Sequence, residues 1–167
     1  MASTQILNSS KSARIIHRMA YEIWEKNYSA KRIILLGIAP KGPSIANLLM
    51  EDLKVIQCPV PTECHIITIN KQNPSKDNFK LSQEVEPKAG DVVIIVDDVL
   101  YTGRTLTRCI MPFIEAGFEK VQVGVLVFRD YLKYPIKPDF VGMALASTTM
   151  EHVEVKIGEN EVQAYLN

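Results

Sequence analysis

Three apolar runs constrain this chain more than anything else in it: "RIILLGI", "VVIIVDD" and "KVQVGVLVF". Each places apolar residues on consecutive positions, so a strand made from it must bury both faces. Strands of that kind belong to parallel sheets covered by helices on either side. The intervening segments supply the helices. Between Ser12 and Tyr28, Ile15, Ile16, Met19, Ala20, Ile23 and Trp24 recur at helical spacing, with Ser10 or Ser12 available as the cap. "KGPSIANLLMEDL" carries Pro43 near a first turn, and "RTLTRCIMPFIEAGF" ends near Gly117. "ECHIITIN" predicts a further strand, while "PDFVGMAL" and "EHVEVKI" predict short strands near the end. The expectation is an α/β fold: an open parallel sheet flanked by helices on both faces. A single domain spans residues 1–167, long enough to bury a real core.

Composition narrows the partners. Lysine and arginine balance aspartate and glutamate at 19 each, so no global field draws nucleic acid or a membrane to the chain. Cys58, Cys64 and Cys109 form no CxxC motif, and His17, His65 and His152 are scattered, so free thiols and no zinc site are expected. No segment has the apolar length of a membrane span, and "MASTQILNSSKSAR" lacks a signal-peptide core. The expected location is cytoplasmic.

In open parallel sheets, ligands bind beyond the carboxyl ends of the strands. Three polar clusters fall there: "GIAPKG", "VDDVLYTGRT" and "LVFRDYLKYP". Asp97 and Asp98 end the most apolar strand of the chain. Solvated charges at a frayed end are the ordinary explanation for such a pair. Here, however, a glycine-bearing turn into a helix follows. Carboxylates in that position can accept hydrogen bonds from the two hydroxyls of a ribose. Thr102, Gly103, Arg104 and Thr105 offer backbone N–H groups, a helix dipole and hydroxyls to an anion. Diol acceptors beside a phosphate cup make a ribose 5-phosphate site; neither a Walker loop nor GxGxxG is present.

"IIVDDVLYTGRT" resembles the 5-phosphoribosyl-1-pyrophosphate (PRPP) motif of type I phosphoribosyltransferases. The resemblance implies Asp97 and Asp98 on the ribose hydroxyls, reaching Mg²⁺ only indirectly through PRPP and water. It places Tyr101, Thr102, Gly103, Arg104 and Thr105 around the 5′-phosphate. "GIAPKG" stands where the family has its pyrophosphate loop, which assigns Lys41 and Gly42 to PRPP binding and sets Lys41 beside Asp97 and Asp98 as a catalytic residue. The polar stretch from about Lys71 to Lys88 falls where these enzymes carry a flexible hood, and a loop of that length is usually functional.

Residues at the base end are informative. Purine members have an aspartate where this chain has Tyr101, and a lysine where it has Phe128. Together with "RIIHRMAYEIWEKN" and "YPIKPDFVG", the motif is similar to the family's pyrimidine operon attenuation regulators, which are bifunctional and have uracil phosphoribosyltransferase activity. The chain departs from them at Pro40-Lys41-Gly42, at Asn70-Lys71-Gln72-Asn73 and at Phe128-Arg129-Asp130-Tyr131.

The resemblance therefore implies a Mg²⁺-dependent transferase of PRPP to a nucleobase, uracil first, with Phe128, Arg129 and Val141 at the base. The alternative is a regulator that senses PRPP or a nucleoside monophosphate with little turnover; a purine transferase stands behind both. A homodimer or higher homo-oligomer is implied as well. Lys11, Arg14 and Arg18 could line one helical face for RNA, although a solvated face explains them better.

Overall fold

The computed structural model describes residues 3–146, 151–159 and 161–167. Its centre is a six-stranded sheet in the order β4-β3-β2-β5-β6-β7. These strands are β2 (Arg32–Ile38), β3 (Thr62–Thr68), β4 (Lys80–Leu81), β5 (Asp91–Leu100), β6 (Val121–Arg129) and β7 (Phe140–Leu145). All neighbours are parallel except β3 and β4, which pair antiparallel at one edge. Helix α1 (Ser9–Lys26) and helix α2 (Gly42–Val55) cover one face, and helix α3 (Arg104–Glu115) covers the other.

The apolar runs work as their composition requires. Along β5, Val92, Ile94 and Val96 enter the cluster shared with α1 and α2, while Val93 and Ile95 enter the cluster beneath α3. A period of two sends alternate side chains to opposite faces, and both faces here are apolar. Phe140 and Leu126 are fully buried on the α1 side. Burial of such a ring contributes roughly 2–3 kcal/mol.

Helix α1 begins earlier than its apolar spacing suggests. Asn8, rather than Ser10 or Ser12, caps it: the Asn8 side chain accepts a hydrogen bond from the Lys11 N–H at 2.8 Å. Ser12 is instead buried inside the helix. A second, antiparallel sheet of order β1-β9-β8 joins β1 (Thr4–Leu7), β8 (Val153–Ile157) and β9 (Val162–Leu166). It packs through Leu7, Val155 and Ala164 into the α1-side cluster.

The polar stretch after β3 is anchored near its middle. It holds a single 3-10 turn at Lys76–Asn78, then β4, and seats Phe79, Leu81 and Val85 against the α3-side cluster. The Phe79 ring meets Phe113 of α3 edge-on, with centroids 6.2 Å apart. Among the described residues, no helix is long and apolar enough to cross a membrane.

Candidate active site

A cavity of about 500 Å³ opens at the carboxyl edge of the sheet. Its walls come from the loop before α2, the end of β5, the loop into α3, the end of β6 and the start of β8. Asp97, Asp98, Lys41 and Tyr101 to Thr105 all line it, as does Arg129. Lys71, the first residue of the expected hood, lines it too, as do His152 and Val153, which sequence reasoning did not assign to the site.

Strand alternation separates the two carboxylates. Asp97 continues the series of Val93 and Ile95 toward α3 and is only 3 % exposed. Asp98 turns the other way, where Oδ2 stands 3.8 Å from the Lys41 ammonium at the start of α2. Burial pushes the Asp97 carboxyl up from 3.8 to about 7; the Lys71 ammonium opposes that rise and the neighbouring Asp98 adds to it. Asp97 Oδ1 accepts hydrogen bonds from Lys71 Nζ at 2.8 Å and from the Asp98 N–H at 2.9 Å. Below it, burial drives the Cys109 thiol up to about 12, with Asp97 reinforcing the shift, so this cysteine is a packing residue rather than a nucleophile. All three cysteines are free thiols.

The loop into α3 has the form an anion requires. Gly103 caps the helix in the left-handed region, at φ +84°, where a side chain is strained. A Cβ there would also lie 2.5 Å from Ile136 Cγ2. The Thr102 carbonyl accepts hydrogen bonds from the Lys133 N–H (2.9 Å) and the Tyr134 N–H (3.2 Å). The segment after β6 is thereby seated on the loop into α3. At the head of α2, a Cβ on Gly42 would meet the Val96 carbonyl at 2.5 Å, so only glycine lets that loop lie against β5. The peptide bond between Ala39 and Pro40 is cis.

Where β6 meets the cavity, the rings of Tyr101 and Tyr131 stack with centroids 5.2 Å apart, and the buried Arg129 guanidinium lies 4.3 Å from the centre of the Tyr101 ring. Phe128 packs into the α3-side cluster and does not line the cavity. Val141 pairs with Val125 on the edge strand β7 and lines a separate surface hollow beside Arg18, which donates to its carbonyl. Of the three residues expected at the base, Arg129 lines the cavity and Phe128 and Val141 do not. Arg18 itself is committed to the Val141 and Gly142 carbonyls and to Glu22, so it contributes little to a free basic face on α1.

A parallel sheet with an acidic pair and a helix N-terminus at its carboxyl edge is the arrangement expected of a type I phosphoribosyltransferase. Residues 2–160 match the phosphoribosyl transferase domain, and the chain belongs to that family, of type I. Among its relatives is the bifunctional protein PyrR of Brevibacillus brevis, 34 % identical over 163 residues, which cover 94 % of this chain and 91 % of the relative. The bifunctional protein PyrR of Acetivibrio thermocellus is 33 % identical over 164 residues, covering 93 % and 88 %. The fold is shared with a hypoxanthine-guanine phosphoribosyltransferase of Bacillus anthracis, at a TM-score of 0.75 and 14 % identity over 96 % of each chain. It is shared also with the hypoxanthine phosphoribosyltransferase of Trypanosoma cruzi, at a TM-score of 0.72 and 16 % identity over 85 % of this chain and 81 % of that one.

Proposed function

We propose that the protein transfers the 5-phosphoribosyl group of PRPP to a pyrimidine base, uracil first, and releases pyrophosphate. The observation that carries this reading is the meeting, in one cavity, of a buried carboxylate pair and the N-terminus of α3. The 5′-phosphate sits against the backbone N–H groups of residues 102–105, where the helix dipole favours negative charge. Asp97 and Asp98 hold the ribose hydroxyls, and Lys41 and Gly42 face the pyrophosphate.

The carbon–oxygen bond to pyrophosphate breaks as a base nitrogen attacks the same ribose carbon. Positive charge develops on the ribose in between. Carboxylates held in a largely buried cavity stabilise that charge, and the three anchored groups align the reacting atoms. The acidic pair suits a ligand-borne Mg²⁺: two carboxylates without a third acidic or histidine partner, among the described residues, can steady an ion whose remaining contacts are ligand oxygens and water. Mg²⁺, when bound, would shield the pyrophosphate oxygens as charge builds on them. Uracil is favoured by the likeness to the pyrimidine regulators and by Tyr101, whose stacked ring narrows the base end. The acting form is a homodimer or higher assembly in the cytoplasm.

A second reading is a sensor that binds PRPP or a nucleoside monophosphate with little turnover. The stack of Arg129, Tyr101 and Tyr131 favours its PRPP-binding form, because those groups take up space that an incoming base would need. Calorimetric titration with Mg²⁺-PRPP and with nucleoside monophosphates, alongside a screen of bases for pyrophosphate release, separates the two. Release with uracil supports the transferase, and binding without release on any base supports the sensor. No binding at all sinks both.

A further inference from the structure

Lys71 lies three residues past the end of β3, yet its ammonium reaches between the two carboxylates, 2.8 Å from Asp97 Oδ1 and 3.7 Å from Asp98 Oδ1. We propose that Lys71 is the resident cation of the acidic pair, and that a ribose ligand binds by displacing it, so that occupancy of the cavity moves the segment around residues 70–78. This rests on the reading that Asp97 and Asp98 accept a ribose diol.

The hydrogen-bond geometry makes Lys71 a competitor for Asp97 Oδ1. Asp97 Oδ1 already accepts two hydrogen bonds, from Lys71 Nζ and the Asp98 N–H, and an oxygen of this type has two lone pairs to offer. The Asp98 N–H belongs to the strand and cannot withdraw. Lys71 can: its stem is flexible, its side chain is one-third exposed, and it begins a polar segment. Lys41 is no substitute for it, because it stands 3.8 Å from Asp98 at the start of α2 and makes no contact of this kind with Asp97.

Charge points the same way. An uncharged diol replaces the hydrogen bond that Lys71 gives up but not its charge, so the ligand that displaces it best brings a cation of its own. The segment behind Lys71 is held by small bonds suited to such a change. Asn70 Oδ1 accepts from the Gln72 and Asn73 N–H groups, and Asn78 Oδ1 accepts from the Ser75 N–H. Lys71 acts on the ligand through Asp97 and is thus a positioning residue.

The test uses ribose 5-phosphate with Mg²⁺, which carries the diol but no pyrophosphate for a lysine to grip. Its dissociation constant is measured for the wild type, Lys71→Met and Lys71→Arg. Removing the competitor should tighten binding about tenfold in Lys71→Met, the scale of one charge-assisted hydrogen bond, while Lys71→Arg keeps wild-type affinity. In the wild type, amide hydrogen exchange at Gln72, Asn73 and Ser75 should quicken on adding the ligand. Equal or weaker binding by Lys71→Met, or slower exchange at those amides, overturns the proposal while leaving the phosphoribosyl reading standing. Failure of all three proteins to bind ribose 5-phosphate would overturn that reading and this one with it.

Discussion

Asp97→Asn should make the protein more stable, and more so as the pH rises. In the folded chain, burial holds the Asp97 carboxyl up at about 7 instead of 3.8. Below the lower value both folded and unfolded chains carry the proton, and the group has no effect on stability. Between the two values the unfolded chain has lost its proton while the folded chain keeps it. Stability is therefore lost as pH climbs through this window and levels off above it. Asparagine never ionises and escapes the loss. Taking 1.36 kcal/mol per unit, the gain is about 2 kcal/mol at about pH 5 and on the order of 4 kcal/mol at about pH 8. For a chain of this length the second figure corresponds to a rise in melting temperature on the order of 10 °C. Urea denaturation of both proteins at the two pH values measures it, with the slope m checked for constancy. A gain that is equal at the two pH values, or smaller at the higher one, refutes the account of Asp97 as a carboxylate held against its solvation. The same substitution alters a proposed diol acceptor, so the stabilised variant should bind ribose 5-phosphate less well than the wild type.

Gly103→Ala combines a left-handed backbone with a methyl 2.5 Å from Ile136, and should cost about 1–3 kcal/mol in urea denaturation while weakening ribose 5-phosphate binding in the same titration. Phe140→Ala empties a fully buried site on the α1 side of the sheet; a loss of about 3–5 kcal/mol is expected, read by thermal or urea unfolding, with no change in the pH dependence due to Asp97.

The central sheet was legible in sequence because its strands bury both faces and so announce themselves as unbroken apolar runs. β1 and β9 were not. "TQIL" and "VQAYL" are short and half-polar, and they become strands by pairing with each other across nearly the whole chain, a contact that nothing local encodes. The acidic pair could be read because charge at the end of the most apolar strand is conspicuous. The cap of α1 was misplaced because Asn8, Ser9 and Ser10 are all good capping residues, and only the hydrogen bond to Lys11 chooses among them. Lys71 looked like any lysine in a polar loop. What distinguishes it is the parallel pairing that sets β2 between β3 and β5 and brings the carboxyl ends of these strands to one edge. A lysine just beyond a neighbouring strand's carboxyl end was the available signal. Phe128 and Val141 were placed by resemblance alone, and their side of the sheet could not be foreseen without the register of β6 and β7.

The two hydrogen bonds that the segment after β6 donates to the Thr102 carbonyl have a consequence for discrimination by size. Under the proposed function, they fix the span between the loop assigned to the phosphate and the segment beside the base, much as the jaws of a caliper are fixed once locked. Neither end can shift to suit a longer or shorter ligand without dragging the other. A ligand of the wrong length must forgo one anchor entirely, so selection among nucleotides would fall in steps rather than by degrees.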